Sequence, residues 1–105
     1  MKIGVISDSH DNEDNLNEAL RRLVECDELI HCGDVSSQDS LRILSEFKLP
    51  VHLVQGNTDT FDADGVEGVT FHGGSAEIDI DGRNVFVTHF PEIAKIAAMS
   101  PSFDI

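Results

Sequence analysis

Carboxylate and imidazole side chains occur together directly after the first apolar segment of the chain. Asp8 and His10 are two residues apart in an extended turn, so both side chains can point to one side at the end of a strand. A hard oxygen ligand beside an imidazole suits Mn, Fe, Ni or Zn better than Mg or Ca alone. The pair could be half of a metal site, although by itself a capping turn at a helix start would be the favoured interpretation.

Three later apolar segments end in a similar way. Asp34 follows Gly33, Asn57 follows Gly56, and His89 closes a fourth apolar segment. A glycine at such a position lets the backbone turn sharply and approach a metal or a phosphate. Each ending alone could be an ordinary turn, or a helix cap at His89. Together they favour one site in which a shared carboxylate serves two cations, the arrangement used to hydrolyse phosphate esters.

Short strands would have to position these residues. Segments 2–6, 28–32 and 51–54 are apolar with little polar alternation, which is typical of strands buried on both faces. Helical patterns separate them, so the connections predict right-handed β-α-β crossovers and a parallel sheet. Ligand sites in such sheets lie outside the carboxyl ends of the strands, where Asp8, Asp34 and the later candidates would meet.

The helices are predicted from periodicity and from start and stop signals. Apolar residues within 16–24 fall at i, i+3, i+4, i+7 and i+8, one stripe of an amphipathic helix. Ser36 or Ser37 can begin a second helix that ends before Pro50, and a brief helix is expected around 93–97. Residues available to cap the first helix are Asp11, Asn12 and Asp14.

The second half of the chain has a different pattern. Residues 60–75 are rich in loop formers, with a short strand expected at 69–71. Segments 76–80 and 85–88 flank a turn at 81–84 that contains a glycine, which predicts a hairpin. The fold class expected is therefore α/β, with a parallel β-α-β first half and an antiparallel second half.

Composition limits the possible partners. The 105 residues suit one domain, and seven basic against twenty acidic residues give a formal charge of −13. Such a surface argues against broad nucleic-acid binding and against anionic membranes, so an anionic substrate would need its charge offset by metal ions. The acidity is also compatible with a halophilic cytoplasm.

Cysteine usage and hydropathy favour a cytoplasmic protein. Cys26 and Cys32 are six residues apart and form no Cys-x-x-Cys motif, so neither a disulfide framework nor a zinc ribbon is expected. The apolar segment at the N-terminus is too short for a signal peptide, and no segment reaches the length of a membrane span.

Four blocks of the sequence resemble the successive motifs of a known family. They are Asp8-Ser9-His10, Gly33-Asp34, Gly56-Asn57-Thr58-Asp59 and Thr88-His89. Their order and spacing across residues 1–105 resemble the calcineurin-like metallophosphoesterases, most closely the small prokaryotic YfcE-like phosphodiesterases. The resemblance implies an α/β/β/α sandwich with two sheets, and a phosphodiesterase or phosphatase that acts on small phosphate esters.

The resemblance also implies two divalent metal ions, Mn first, with Ni, Fe, Zn or Mg as alternatives. Asp34 would bridge them, and a hydroxide between them would attack phosphorus while Asn57 helps to neutralise the growing charge. Asp59 would be an outer carboxylate that orients His10 or a neighbouring group. The implied metal ligands are Asp8, His10, Asp34, Asn57 and His89.

The sequence departs from the family in two places. Family members complete the site with a Gly-His-x-His turn, which these 105 residues lack, and 103–105 resembles the start of the strand leading to it. A single domain without that C-terminal portion is therefore expected. Thr58 stands where larger phosphatases have a proton-donating histidine. The alternatives are an inactive truncated copy or a non-catalytic interaction module, and an unpaired sheet edge could pair two chains.

The remaining histidines are interpreted as structural. His31 lies inside the second strand and is expected to be buried and hydrogen-bonded, whereas His52 is a surface or packing residue of the third strand. His72 is expected in a loop, and residues 59–64 are expected to form a solvated acidic loop.

Overall fold

The computed structural model describes residues 1–63 and 66–105, so Asp64 and Gly65 of the predicted loop lie outside the described residues. Strands and helices alternate in the first half, as the sequence predicts. In chain order the elements are β1 (Ile3–Ile6), α1 (Glu13–Arg22), β2 (Glu28–His31), α2 (Gln38–Ser45), β3 (Val51–Leu53), β4 (Val69–Phe71), β5 (Ser75–Ile80), β6 (Arg83–Thr88) and α3 (Pro91–Ala98).

Two sheets form the centre of the molecule. One is parallel with the strand order β1-β2-β3-β4, and the other is the antiparallel pair β5-β6. The short strand β4 joins the parallel sheet through β3, so the antiparallel part of the described chain is confined to the β5-β6 hairpin. Because successive parallel strands are neighbours, their carboxyl ends lie along one edge of the sheet.

The two faces of the parallel sheet are covered by different elements. Helices α1 and α2 cover one face, and the residues buried there are Leu16, Leu20, Leu29, Val35, Leu41, Leu44, Val51 and Leu53. The hairpin covers the other face, and the residues buried there are Ile30, Val54, Ala76, Ile78, Ile80, Val85 and Val87. Helix α3 contacts β6, which completes the predicted α/β/β/α order of layers.

Polar side chains set where the helices begin. Asn12 is the N-cap of α1, where its side-chain oxygen accepts a hydrogen bond from the Asn15 N–H at 3.0 Å. Ser37 occupies the N-cap position of α2, as the sequence predicts. Asp11, another capping candidate, instead accepts hydrogen bonds from the Ser37 N–H and the Ser40 hydroxyl, both at 3.0 Å. That carboxylate ties the β1–α1 loop to the second helix.

The last residues begin to pair with the hairpin. The Phe86 N–H donates to the Ile105 carbonyl at 2.9 Å, and the Ile105 N–H donates to the Asn84 carbonyl at 3.3 Å. This is the hydrogen-bond pattern of a parallel bridge, in keeping with the strand start expected at 103–105. Cys26 and Cys32 are free thiols, and in the described part of the chain no helix is long and apolar enough to cross a membrane.

Candidate metal centre

Backbone hydrogen bonds join the first two loops at the carboxyl edge of the parallel sheet. The Asp8 N–H donates to the Gly33 carbonyl and the His10 N–H donates to the Asp34 carbonyl, each at 2.9 Å. One step further, the Asp11 N–H donates to the next carbonyl of the second loop at 3.2 Å. The loop after β1 is therefore fixed in register with the loop after β2.

These loops contain an unusual number of left-handed residues that are not glycine. The φ values are +57° at Asp8, +45° at His10, +59° at Asp11, +62° at Asp34 and +86° at Ser36. A left-handed L-residue costs roughly 1–2 kcal/mol, and such strain collects at functional sites where the surroundings impose it. The hydrogen bonds between the loops supply that constraint here.

Asp34 lies at the centre of the candidate site, with only 3% of its surface exposed. Its Oδ1 accepts two hydrogen bonds from Thr58, from the N–H and from the hydroxyl, both at 2.9 Å. Its Oδ2 lies 3.4 Å from His10 Nε2 and 3.2 Å from His89 Nε2. One oxygen is therefore held by Thr58, and the other projects between two imidazoles.

The hydrogen bond on the far side of the His89 ring sets its tautomer. Nδ1 lies 3.0 Å from the Cys32 carbonyl, which can only accept, so Nδ1 carries the proton. In the neutral ring Nε2 then carries a lone pair, and that lone pair faces Asp34. Metal-binding histidines are typically oriented by such a carbonyl behind the ring.

Asp8 and His10 form the more exposed half of the site. His10 Nε2 is 3.2 Å from Asp8 Oδ1, and the two side chains are about half exposed, at 48% and 50%. The Ser7 hydroxyl is the largest cause that lowers the pKa of Asp8, and His10 lowers it further, while burial opposes both. Asp8, Asp34 and His89 each offer one ligand atom within 4.8 Å of one another.

The Asn57 carboxamide can adopt either of two orientations. As placed, its oxygen lies 3.1 Å from His89 Nε2. After a rotation of the amide, its nitrogen would instead donate to His89 Nε2 at 3.1 Å and to Asp34 Oδ2 at 3.0 Å. The rotated amide pairs with both neighbouring acceptors and is the favoured orientation without a cation, whereas an inward oxygen is favourable only beside a cation. The donor set therefore fits a divalent metal of the Mn, Fe, Ni or Zn type.

The Asp59 carboxylate binds backbone groups. One oxygen accepts from the Asp34 N–H at 3.0 Å and the Gly56 N–H at 2.7 Å, and the other accepts from the Ser36 N–H at 2.7 Å. The expected solvated loop thus begins with a carboxylate that joins the loops after β2 and β3. Its described hydrogen bonds hold the neighbourhood of Asp34, and none of them reaches His10.

Two residues near the site have roles that sequence reasoning missed. The sequence indicates for Thr58 only that it cannot donate a proton to the leaving group, whereas in the structure its hydroxyl donates to Asp34 Oδ1. His31 is buried and hydrogen-bonded as predicted, with no exposed surface, but it also lies beneath the loops that carry the candidate ligands. In the sequence, the indication of this placement is that His31 lies two residues before Gly33, at the end of the strand that leads to Asp34.

The other histidines lie apart from the candidate ligands. His52 Nδ1 and His72 Nε2 are 3.0 Å apart, and His52 Nε2 lies 3.8 Å from Glu28. The ring-centroid separation of 5.3 Å matches two rings meeting nitrogen to nitrogen. Among their described contacts there is none with the candidate metal centre.

A cleft of about 580 Å³ opens beside Asp8 and His10. Hydroxyl and amide groups of the β1–α1 loop and of the first turn of α1 line it, including Ser7, Ser9 and Asn12. The cleft is open to solvent, so a small polar molecule could reach the carboxylates and imidazoles directly.

The family model for the calcineurin-like phosphoesterase superfamily domain matches residues 1–102. The chain belongs to this superfamily. Comparison with curated protein sequences finds no match.

Solved phosphoesterase structures share the fold. An archaeal phosphodiesterase superposes with a TM-score of 0.86 at 25% identity, over 99% of this chain and 69% of its own. YfcE, a phosphoesterase from E. coli, has a TM-score of 0.71 at 19% identity, over 88% and 59%. A conserved protein from Streptococcus pneumoniae, described as a predicted phosphoesterase, has a TM-score of 0.57 at 22% identity, and the match covers 96% of this chain and 51% of that protein. This member of the calcineurin-like phosphoesterase superfamily thus spans roughly half to two thirds of the length of these structural neighbours, and it shares the fold of YfcE.

Proposed function

We propose that the protein is a metal-dependent phosphoesterase that hydrolyses small phosphodiesters. The observation that carries this proposal is the arrangement at Asp34, where Thr58 holds Oδ1 and Oδ2 lies between the Nε2 atoms of His10 and His89. One free carboxylate oxygen between two imidazoles is what a bridging ligand of a dinuclear site requires. The likeness to an archaeal phosphodiesterase supports the choice of diesters.

The proposed ligand sets follow the two sides of Asp34. Asp8 and His10 would hold one divalent ion, and Asn57 and His89 the other, with Mn as the first candidate. Bound there, two such cations would act as Lewis acids and would supply a hydroxide nucleophile by lowering the pKa of a water molecule. A stoichiometry of two Mn²⁺ per chain is expected in calorimetric titration, and a stoichiometry of one would contradict the dinuclear form of the proposal.

The protein residues would orient the reacting groups. His89 is held in one tautomer by the Cys32 carbonyl, so its lone pair needs no rearrangement on binding. The Asn57 amide can turn either its oxygen or its nitrogen toward the reacting region, where the nitrogen could donate to a phosphoryl oxygen as negative charge grows. Asp59 would contribute by holding the Asp34 backbone rather than by moving a proton.

The absence of a proton donor at Thr58 limits the substrate. The hydroxyl of Thr58 already donates to Asp34, so it cannot protonate a leaving alkoxide. We therefore propose that diesters with acidic leaving groups are hydrolysed fastest. Rates across aryl esters of graded leaving-group pKa should fall steeply as that pKa rises, and a flat profile would contradict this part of the proposal.

Hydrolysis of bis(4-nitrophenyl) phosphate with and without added Mn²⁺ tests the function directly. The Asp34→Asn variant should lose at least about 100-fold of the Mn-stimulated rate, because the bridging charge is removed. Asp39→Asn is the matched control, since Asp39 is exposed on α2 and its described ion pair is with Arg42 at 3.7 Å rather than with a candidate ligand. A rate that Mn²⁺ does not stimulate, or equal rates in the two variants, would contradict the proposal.

A further inference from the structure

His31 lies at the end of β2, directly beneath the loops that carry the candidate ligands. No part of its surface is exposed, and it is among the few buried polar residues of the described chain. Its ring contacts one group in each loop. The Gly33 N–H lies 3.1 Å from Nδ1, and the Ser9 hydroxyl lies 3.1 Å from Nε2.

The two contacts determine the protonation of the ring. The Gly33 N–H can only donate, so Nδ1 of His31 must accept and carries no proton. In a neutral ring the proton is then on Nε2, which donates to the Ser9 oxygen. Burial is the largest cause that lowers the pKa of His31 to about 4, so the ring is neutral near pH 7.

Both partners of the ring are adjacent to candidate ligands. Ser9 lies between Asp8 and His10, which both have positive φ, so its hydroxyl is an anchor within a strained turn. Gly33 immediately precedes Asp34, which also has positive φ. We infer that His31 is a positioning residue: by binding Ser9 and Gly33 together, it sets the spacing between the Asp8–His10 pair and Asp34. This inference rests on the proposed function for the identity of the positioned ligands.

The alternative is a histidine that serves only core stability. An apolar residue of similar size would fill the space, but it would leave the Gly33 N–H without its acceptor and release the Ser9 hydroxyl. The backbone bonds from Asp8 and His10 to the second loop would remain as the direct links. If His31 has a positioning role, its replacement should loosen the contact between the loops after β1 and β2. The effect there should exceed that of a core substitution that lowers the free energy of unfolding by the same amount.

Three substitutions separate the two hydrogen bonds. His31→Gln can place an amide N–H near the position of Nε2 and keep the bond to Ser9, whereas His31→Asn can place an oxygen near Nδ1 and keep the bond to Gly33. His31→Leu removes both bonds. Leu44→Ala is the stability-matched control, because Leu44 is fully buried in the helix-covered core and belongs to none of the site loops.

Two measurements are made on each variant. Native-state hydrogen exchange follows the amide protons of Asp8 and His10, which donate to the second loop. Titration with Mn²⁺ alone gives the dissociation constant. We expect His31→Leu to weaken Mn²⁺ binding by roughly 10- to 100-fold and to speed exchange of both amides, with smaller effects for Gln and Asn. Ser9→Ala should add little to His31→Leu, because the shared bond is already lost.

Each outcome decides the inference. Unchanged exchange at Asp8 and His10 in the three His31 variants would overturn it, and so would equal loosening in Leu44→Ala. Faster exchange in the His31 variants, with Leu44→Ala unchanged at those amides, would support it. If the wild-type chain binds no Mn²⁺, the proposed function fails, and the exchange rates still decide whether His31 sets the spacing of the two loops.

Discussion

Among the described residues, left-handed backbone at residues other than glycine occurs in two regions that differ in almost everything else. At the tip of the β5-β6 hairpin, Asp81 and Gly82 have φ values of +54° and +81°. At the carboxyl edge of the parallel sheet, a larger group of non-glycine residues adopts the same region around Asp34. The hairpin turn is stabilised locally, by the Gly82 N–H donating to Asp79 at 3.0 Å, whereas the site loops are stabilised by one another.

The two regions also differ in how much space surrounds their glycines. A Cβ placed on Gly82 would meet nothing within 4 Å, so glycine serves only the backbone conformation there. A Cβ on Gly56 would overlap the Asp34 carboxylate and lie 2.5 Å from the Asp34 backbone nitrogen. Glycine at 56 therefore makes room for a neighbouring side chain. Glycine is thus required by the turn geometry at position 82 and by steric crowding at position 56.

The largest effect is expected from Gly56→Ala. The added methyl group must displace Asp34, so we expect a loss of about 3 kcal/mol or more in the free energy of unfolding, together with weaker Mn²⁺ binding. Urea denaturation and a metal titration measure the two effects. If the variant retains both wild-type stability and wild-type affinity, crowding around Asp34 is not the reason for this glycine.

Acid should destabilise the site region through His31. Its pKa is lowered from 6.5 to about 4 in the folded protein, so the unfolded chain binds the proton more readily. The neutral ring therefore contributes about 3 kcal/mol to the free energy of unfolding. This contribution is complete above pH 6.5 and is lost as pH falls toward 4. Acidic residues add their own pH dependence, so the quantity to measure is the difference between wild type and His31→Gln in metal-free buffer. Parallel pH profiles for the two proteins would contradict the expectation.

Replacing Asp59 by asparagine should have an intermediate effect. Asp59 accepts three backbone N–H groups across two loops, and an amide offers only one oxygen for them while its NH₂ group faces another donor. We expect a loss of about 2 kcal/mol in unfolding free energy. Hydrogen exchange at the Ser36 and Gly56 amides should rise in the variant. Asp39→Asn, at an exposed carboxylate of α2, is the control, and equal losses in the two variants would argue against a specific role for Asp59.

Gly82→Ala should have the smallest effect. The new methyl group meets open space, so only the cost of a left-handed alanine remains, about 1 kcal/mol of unfolding free energy. Mn²⁺ affinity should not change, because the turn lies at the opposite end of β6 from the candidate ligand His89 and on a different sheet from the strands before Asp8, Asp34 and Asn57. A large loss of metal binding in this variant would remove the distinction between the two regions.

Much of the fold could be predicted from periodicity and from breaks in it. Glycine followed by Asp34 or Asn57 marked the strand ends, and the turn around Gly82 marked the hairpin. The placement of β4 was less determined, because three residues carry too little pattern to show which strand they pair with. It joins β3 in parallel, so the antiparallel part begins later in the chain than the change in composition.

The candidate site was predicted as a set of residues rather than as a set of contacts. The resemblance implies for Asp59 an outer carboxylate that orients His10 or a neighbouring group, and in the structure Asp59 accepts hydrogen bonds from three backbone N–H groups. The sequence indicates only that Thr58 cannot donate a proton to the leaving group, yet its hydroxyl determines which oxygen of Asp34 faces the two imidazoles. Such partners depend on distances between loops that are far apart in sequence, and no local pattern encodes those distances.

The sequence by itself determined which chemistry is available: carboxylates, an amide and imidazoles at the ends of apolar strands, on a chain too acidic to attract phosphate without cations. The tertiary structure decided which atoms can act. It gave Asp34 one free oxygen, gave His89 one tautomer and placed a neutral His31 beneath the loops. The physical reason is that ligand type is a property of single residues, whereas orientation and proton position are set by partners that only the folded backbone brings within hydrogen-bonding distance.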